Sequence, residues 1–218
     1  MDTDNELHCS RALHPAKLHC APGTPRRKAG SSAGVDLESV VDAAVALIDS
    51  HGLDQLTLAS VAGVLGIRTP SLYNHVEGLA GLRQELAMRS LREMIALASR
   101  ATVGRDKDEA VMAFAIAYWD FAREHPGLYK SMMLVTRSSD ARLQAAAEEL
   151  LDLVLAVLSG YRLSHEESLH AVRALRSALH GFVSLDEAGQ FGMPLDKVQS
   201  LRRLVRAVIR GIREGEFG

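Results

Sequence analysis

Residues 56–76 read LTLASVAGVLGIRTPSLYNHV. Thr57 can cap a short helix that turns Leu58, Val61, Ala62 and Leu65 inward. Gly66 breaks that helix where a left-handed turn is needed, and Ile67 plugs the turn. The spacing predicts a second short helix with Thr69 as its cap and Pro70 at its first position, where a missing N–H costs little. Leu72 and Val76 then point back toward a core. Upstream, Asp36 is the expected N-cap of a longer helix. Its apolar face carries Val40, Val41, Ala44, Val45, Leu47 and Ile48, its outer face Glu38, Asp42 and Asp49, and Gly52 stops it. Three helices of this size make a compact trihelical unit.

The edge left exposed by the second short helix carries Arg68, Thr69, Ser71, Tyr73, Asn74 and His75. All are hydrogen-bonding residues and none is acidic. A face chosen only for solubility usually carries Glu and Lys. Short donors and acceptors suit close approach to phosphates and base edges. The helix is expected to run about two turns, with an N-terminus that favours phosphate. On pattern alone the stretch fits either a helical hairpin with a polar edge or a device that reads DNA.

The order Thr57, Ala62, Leu65, Gly66, Ile67, Ser71, Leu72, Tyr73, His75, Val76 resembles the TetR family of bacterial transcriptional regulators. So does the preceding AAVALIDSHGLDQLTL, residues 43–58. The resemblance implies a homodimer that places one short recognition helix per subunit in successive major grooves of a double-stranded operator. It implies that Thr57, Arg68, Thr69, Ser71, Tyr73, Asn74 and His75 lie near DNA. Tyr73 and His75 match positions that commonly touch backbone phosphate, and Arg68 and Asn74 are the candidates for base edges. Many members carry a Lys at the start of the fourth helix. Leu79 stands there instead, so that phosphate contact must come from backbone N–H groups or be absent.

Charge tempers this reading. The chain has 218 residues and a formal net charge of -2. Between residues 21 and 80, Arg26, Arg27, Lys28 and Arg68 face Asp36, Glu38, Asp42, Asp49, Asp54 and Glu77. Unless these acids face away from DNA, binding rests on specific contacts and on the Arg26–Lys28 arm, with modest non-specific affinity. The arm can touch phosphate or reach a minor groove, or it can be a plain soluble leader.

With 47% hydrophobic and 5% aromatic residues, dominated by Ala, Leu and Val, the chain is expected to be all-helical with a sizeable core. The expected segments are a disordered tail at 1–34, a helix-turn-helix DNA-binding domain at 35–80 and a helical ligand-binding and dimerisation domain at 81–218. The tail lacks the pattern of a signal peptide, and no stretch reaches the ~20 apolar residues of a membrane span. A cytoplasmic protein without membrane partners is therefore expected. Cys9 and Cys20, with His8, His14 and His19, fit no standard zinc spacing, and no metal or cofactor is expected.

Beyond Leu79 the chain reads as long helices. Residues 111–119 are apolar on all sides and predict burial in a bundle. Ser164 and Glu167 form a capping box. The last helix, 195–213, carries an apolar stripe: Leu195, Val198, Leu201, Leu204, Val205, Val208, Ile209 and Ile212. Such a stripe serves either the chain's own core or a face shared with a second subunit. The family resemblance implies the second, for Leu201, Leu204, Val205, Val208, Ile209 and Ile212. Arg202, Arg203, Arg206, Arg210 and Arg213 lie mostly off the stripe, with Asp186 and Glu187 as candidate partners.

The segments FAREHPGLYKSMM and ALHGFVSLDEAGQFG resemble a ligand-sensing class of the family named for a Trp-His-Gly signature. His180 and Gly181 are present, but Leu179 precedes them where the signature has Trp. The candidate effector pocket is lined by Met112, Ile116, Trp119, Tyr129, Met132, Met133, His180 and Phe182, a set that also fits plain core. Few charges lie on these stretches, so an apolar or aromatic effector is expected.

Enzyme signatures fail. HEESLH, residues 165–170, spaces its histidines five apart instead of four and cannot form a zinc-protease helix. GVLGIR is a helix-turn element and not a strand-to-helix phosphate loop. The sequence thus points to a ligand-responsive repressor. The rivals are a small-molecule carrier with a vestigial reading head and a transcriptional activator.

Overall fold

Helix ends are set locally. Asp36 Oδ1 accepts the Ser39 N–H at 2.8 Å while the Asp36 N–H donates to Ser39 Oγ at 3.0 Å. Thr57 and Ser60 form the same reciprocal box, as do Ser164 and Glu167. The backbone N–H groups of Ser39 and Ser164 hold the Asp36 and Glu167 carboxyls below their usual range. Gly66, at φ 67°, closes the second helix in the left-handed region, and the Ile67 N–H returns to the Ala62 carbonyl at 3.0 Å.

The computed structural model describes residues 34–134 and 140–215. Among them the regular structure is all-helical: α1 Leu37–His51, α2 Leu58–Leu65, α3 Thr69–Leu72, α4 Gly78–Thr102, α5 Lys107–Glu124, α6 Pro126–Met132, α7 Ala141–Leu158, α8 His165–Glu187 and α9 Lys197–Glu214. Short 3-10 turns follow α1 and α7. The all-α expectation holds. The basic arm Arg26, Arg27, Lys28 and the His/Cys tail lie outside the described residues. No described helix is long and apolar enough to cross a membrane.

Three expectations need correction. Arg68, and not Thr69, is the N-cap of α3, because the chain leaves the Gly66 turn extended at Arg68 (φ -82°, ψ 141°). The helix proper is four residues, and hydrogen-bonded turns carry it on to His75. Secondly, residues 111–119 are not buried all round. Val111, Phe114, Ala115, Tyr118 and Trp119 are buried, whereas Met112, Ala113, Ile116 and Ala117 are half-exposed along an open cleft. Thirdly, Leu201, Val205, Ile209 and Ile212 on α9 are buried within the single chain, where α9 packs on α5 and α8. They cannot also be the subunit face, which leaves half-buried Leu204 and Val208 of that set. Leu195 precedes α9 and is exposed.

The core is organised around α4, roughly 37 Å long at 1.5 Å per residue. Leu82, Leu86, Leu91, Met94 and Ala98 are buried along it, and it packs against α1, α5, α6 and α7. The short α6 is wedged between α4 and α1. A Cβ on Gly127 would stand 2.4 Å from Ile48 Cγ1 and 2.6 Å from the Ile48 carbonyl carbon, so only glycine fits. Asp49 Oδ1 accepts the Gly127 N–H at 2.9 Å, and Asp49 Oδ2 meets His125 Nδ1 at 3.2 Å. Two fully buried serines complete the wedge. Ser90 Oγ donates to the Leu128 carbonyl at 2.8 Å and Ser131 Oγ to the Gly127 carbonyl at 3.0 Å.

Gly127→Ala should therefore destabilise the fold by about 1–3 kcal/mol through overpacking against Ile48. The urea midpoint should fall with an unchanged slope. An unchanged midpoint would show that α1 and α6 separate at no cost.

Candidate functional site

The α2–turn–α3 unit presents one polar face. Tyr73 is 62% exposed, Arg68 and Asn74 are exposed, and Thr69, Ser71 and His75 are half-buried. Among the described residues, none of these six side chains makes a hydrogen bond or ion pair. Six adjacent hydrogen-bonding groups are thus free for an outside partner. Thr57 is the exception among the expected contacts, since its hydroxyl serves the α2 cap. Leu79 is half-buried against the core and offers no charge to a phosphate.

Most of the head's acids are already engaged. Arg89 on α4 bonds Asp42 at 2.9 Å and Glu93 at 2.5 Å, with Glu38 at 4.0 Å. Asp49 is held by α6, and Asp36 caps α1. Asp54 and Glu77 remain exposed. The net-acidic count is real, but three of the six acids are turned onto α4 and α6.

The expected effector pocket does not form as one set. Met112 and Ile116 line an open cleft of about 880 Å³ between α4, α5 and α9, rimmed by Arg100, Arg105, Asp120, Glu124 and Arg206. Trp119 borders a separate groove of about 580 Å³ beside α8 and α9. Its Nε1–H donates to Asp186 at 3.0 Å, Arg123 stacks on its ring at 4.5 Å, and Phe182 meets its edge at 6.3 Å. Met132 and Met133 alone of the expected set reach a third space. This is an apolar cavity of about 140 Å³ inside the bundle, bordered by Leu91 and Met94 of α4, Phe114 and Tyr118 of α5, Val154 of α7 and Leu179 of α8. The larger cleft is open and charged, so it cannot strip water from an apolar ligand. The small cavity can.

Beside it runs a polar chain. The Tyr118 and Tyr129 hydroxyls lie 3.1 Å apart, and the Tyr129 hydroxyl is 2.5 Å from His180 Nδ1. Burial pushes both phenols above their usual pKa, so both stay protonated. Tyr129 and His180 thus adjoin the cavity through hydrogen bonds and not as apolar lining. The Asp186 and Glu187 partners also differ from expectation: Lys197 and Trp119 hold Asp186, Lys130 holds Glu187 at 2.5 Å, and Arg213 pairs with Asp108 at 2.7 Å.

Comparison with known proteins decides the family. Residues 111–208 match the family model described as "Tetracyclin repressor-like, C-terminal domain". An uncharacterised HTH-type transcriptional regulator of Bacillus subtilis, YobS, is 35% identical over 181 residues, covering 82% of this chain and 93% of that protein. The chain belongs to the TetR family. Another HTH-type regulator, Rv0681 of Mycobacterium tuberculosis, is 37% identical over 175 residues, covering 78% of this chain and 80% of its own. The TetR family regulator PfmR of Thermus thermophilus has the same fold, with a TM-score of 0.60 at 18% identity over 78% of this chain and 97% of that one. This TetR-family chain is accordingly a DNA-binding transcriptional regulator with an all-α fold.

Sequence reasoning missed Tyr118 and Arg176, which border the cavity, and the Asp49–His125–Gly127 clamp. For Arg176 a signal existed. It sits four residues after Val172 and three before Leu179, on the rim of the apolar face of α8, and is itself exposed.

Asp186 supplies a pH test. Burial pushes its carboxyl up, but hydrogen bonds from Lys197 and Trp119 outweigh this and hold it below 3.8. Its contribution is therefore present above pH 3.8 and lost as pH falls through the lower folded value. Asp186→Asn should lower the melting temperature at pH 7, and the gap from wild type should close toward pH 3 in thermal melts across about pH 3–7. A gap that persists at low pH would assign the loss to packing.

Proposed function

We propose that this regulator is a homodimeric repressor that binds a palindromic operator and is released by a small molecule held in the 140 Å³ bundle cavity. The observation that carries this reading is the free polar face at Arg68, Thr69, Ser71, Tyr73, Asn74 and His75, set on a head that packs directly on the helices lining the cavity. Two such heads about 34–36 Å apart would enter successive major grooves. In this reading Arg68 and Asn74 meet base edges, and Tyr73 and His75 meet phosphate. The subunits would join through the outward sides of α8 and α9, where Leu204 and Val208 stay half-exposed in the single chain. Ligand lowers DNA affinity only by favouring a head spacing that the operator does not accept.

Selection from a random double-stranded DNA library at about 0.15 M salt tests the reading, because salt fixes the phosphate contribution. The full chain should enrich a palindrome and shift it against excess competitor. Arg68→Ala with Asn74→Ala should weaken that shift by at least about tenfold at an unchanged melting temperature, as expected for two lost base contacts. Failure to enrich any sequence would favour a carrier whose head no longer reads DNA.

A further inference from the structure

We propose that the bundle cavity takes a small carboxylate, with a ring-sized apolar body inside and the anion held by the Arg176 guanidinium and the Tyr118 hydroxyl. This rests on the cavity being the effector site and names its ligand chemistry. It also revises the expectation of a purely apolar effector.

Size comes first. A cavity of about 140 Å³ matches in scale the ~150 Å³ engineered cavity that binds benzene. Its walls are aliphatic, thioether and aromatic, and its polar border is confined to Tyr118 and Arg176. An apolar body of one ring, or a short alkyl chain, fits that space.

Charge comes second. Arg176 makes no hydrogen bond or ion pair among the described residues. Glu187, the acid felt at neighbouring Tyr129, is already paired with Lys130 at 2.5 Å. An arginine can lay its stem on apolar surface and leave its head in water. Arg176 is exposed, but it also borders the cavity beside Val172 and Leu179 of α8, and its charge opposes the upward shift of the Tyr118 and Tyr129 phenols. A planar guanidinium and a phenol O–H on the border of one cavity can together hold a planar carboxylate through charge-assisted hydrogen bonds. A cationic ligand would be repelled. A neutral one would leave the guanidinium unpaired at the mouth.

The hydroxyl chain supports the same orientation. When His180 donates from Nδ1 to Tyr129, the Tyr129 hydrogen turns to Tyr118 and the Tyr118 hydrogen turns to the cavity. An anion there is the acceptor that completes the series.

The test is calorimetric titration of the full chain with benzoate, phenylacetate and hexanoate, each beside its amide, and with phenyl phosphate. At least one carboxylate should bind about tenfold more tightly than its amide, the scale of one charged hydrogen bond. Arg176→Gln should erase that preference, Tyr118→Phe should reduce it, and Arg173→Gln on the same helix should leave it intact. Thermal melts confirm that each variant is folded. The proposal is overturned if amides bind as tightly, if phenyl phosphate replaces the carboxylates, if Arg176→Gln keeps the preference, or if no carboxylate binds at millimolar concentration. Measuring operator affinity with the same ligands separates the two readings. Carboxylate binding that leaves operator affinity unchanged supports the site and overturns its role as effector site. Release by the amides alone supports release by ligand and overturns the carboxylate assignment.

Discussion

The close approach of α6 to α1 at Gly127 and Ile48 is the constraint on which the rest of the arrangement depends. No side chain fits between them. That closeness lets Asp49 reach the Gly127 N–H and His125 together, and it seats the carbonyls that the two buried serines satisfy. The same seven-residue helix ends in Met132, with Met133 following, at the edge of the bundle cavity, and it carries Tyr129 toward His180. The head therefore does not hang on α4 alone. One end of α6 touches the reading head and the other touches the apolar bundle cavity. A rigid element this short cannot move at one end without moving at the other.

Three of the hollows that border α5 differ in character, and their chemistry separates them. The two larger ones are open and rimmed with charge, as surface between helix ridges often is. The smallest is the least open, and its border is apolar except for Tyr118 and Arg176. For an apolar body volume is a poor guide, because its binding depends on removing it from water and not on room.

Much of the fold was legible because its signals are local. Asp36, Thr57 and Ser164 with Glu167 cap the helices that their spacing announces, and Gly66 takes the left-handed turn. These choices depend on neighbours within a few residues. The failures arose where an answer depends on what lies opposite. The α9 stripe at Leu201, Val205, Ile209 and Ile212 faces its own chain, and a stripe cannot say whose surface it meets. Residues 111–119 read as buried on every side, yet Met112 and Ile116 line an open cleft. The eight expected pocket residues scattered because three hollows share one helix. Arg176 was passed over because charge on a helix usually means solvent, and Arg176 is indeed exposed while it borders the cavity.

The way the head disposes of its charges has a consequence for how it would travel on DNA. From residue 35 to residue 80 the sequence contains a single Lys or Arg, Arg68. The other groups on the polar face are hydroxyl, amide, phenol and imidazole. Neutral donors displace few condensed counterions from a duplex, and each charged contact contributes a salt slope of only about -0.9. A complex made through this face alone draws little of its free energy from ion release. It should hold its operator across a wide range of ionic strength and slide only short distances on other DNA.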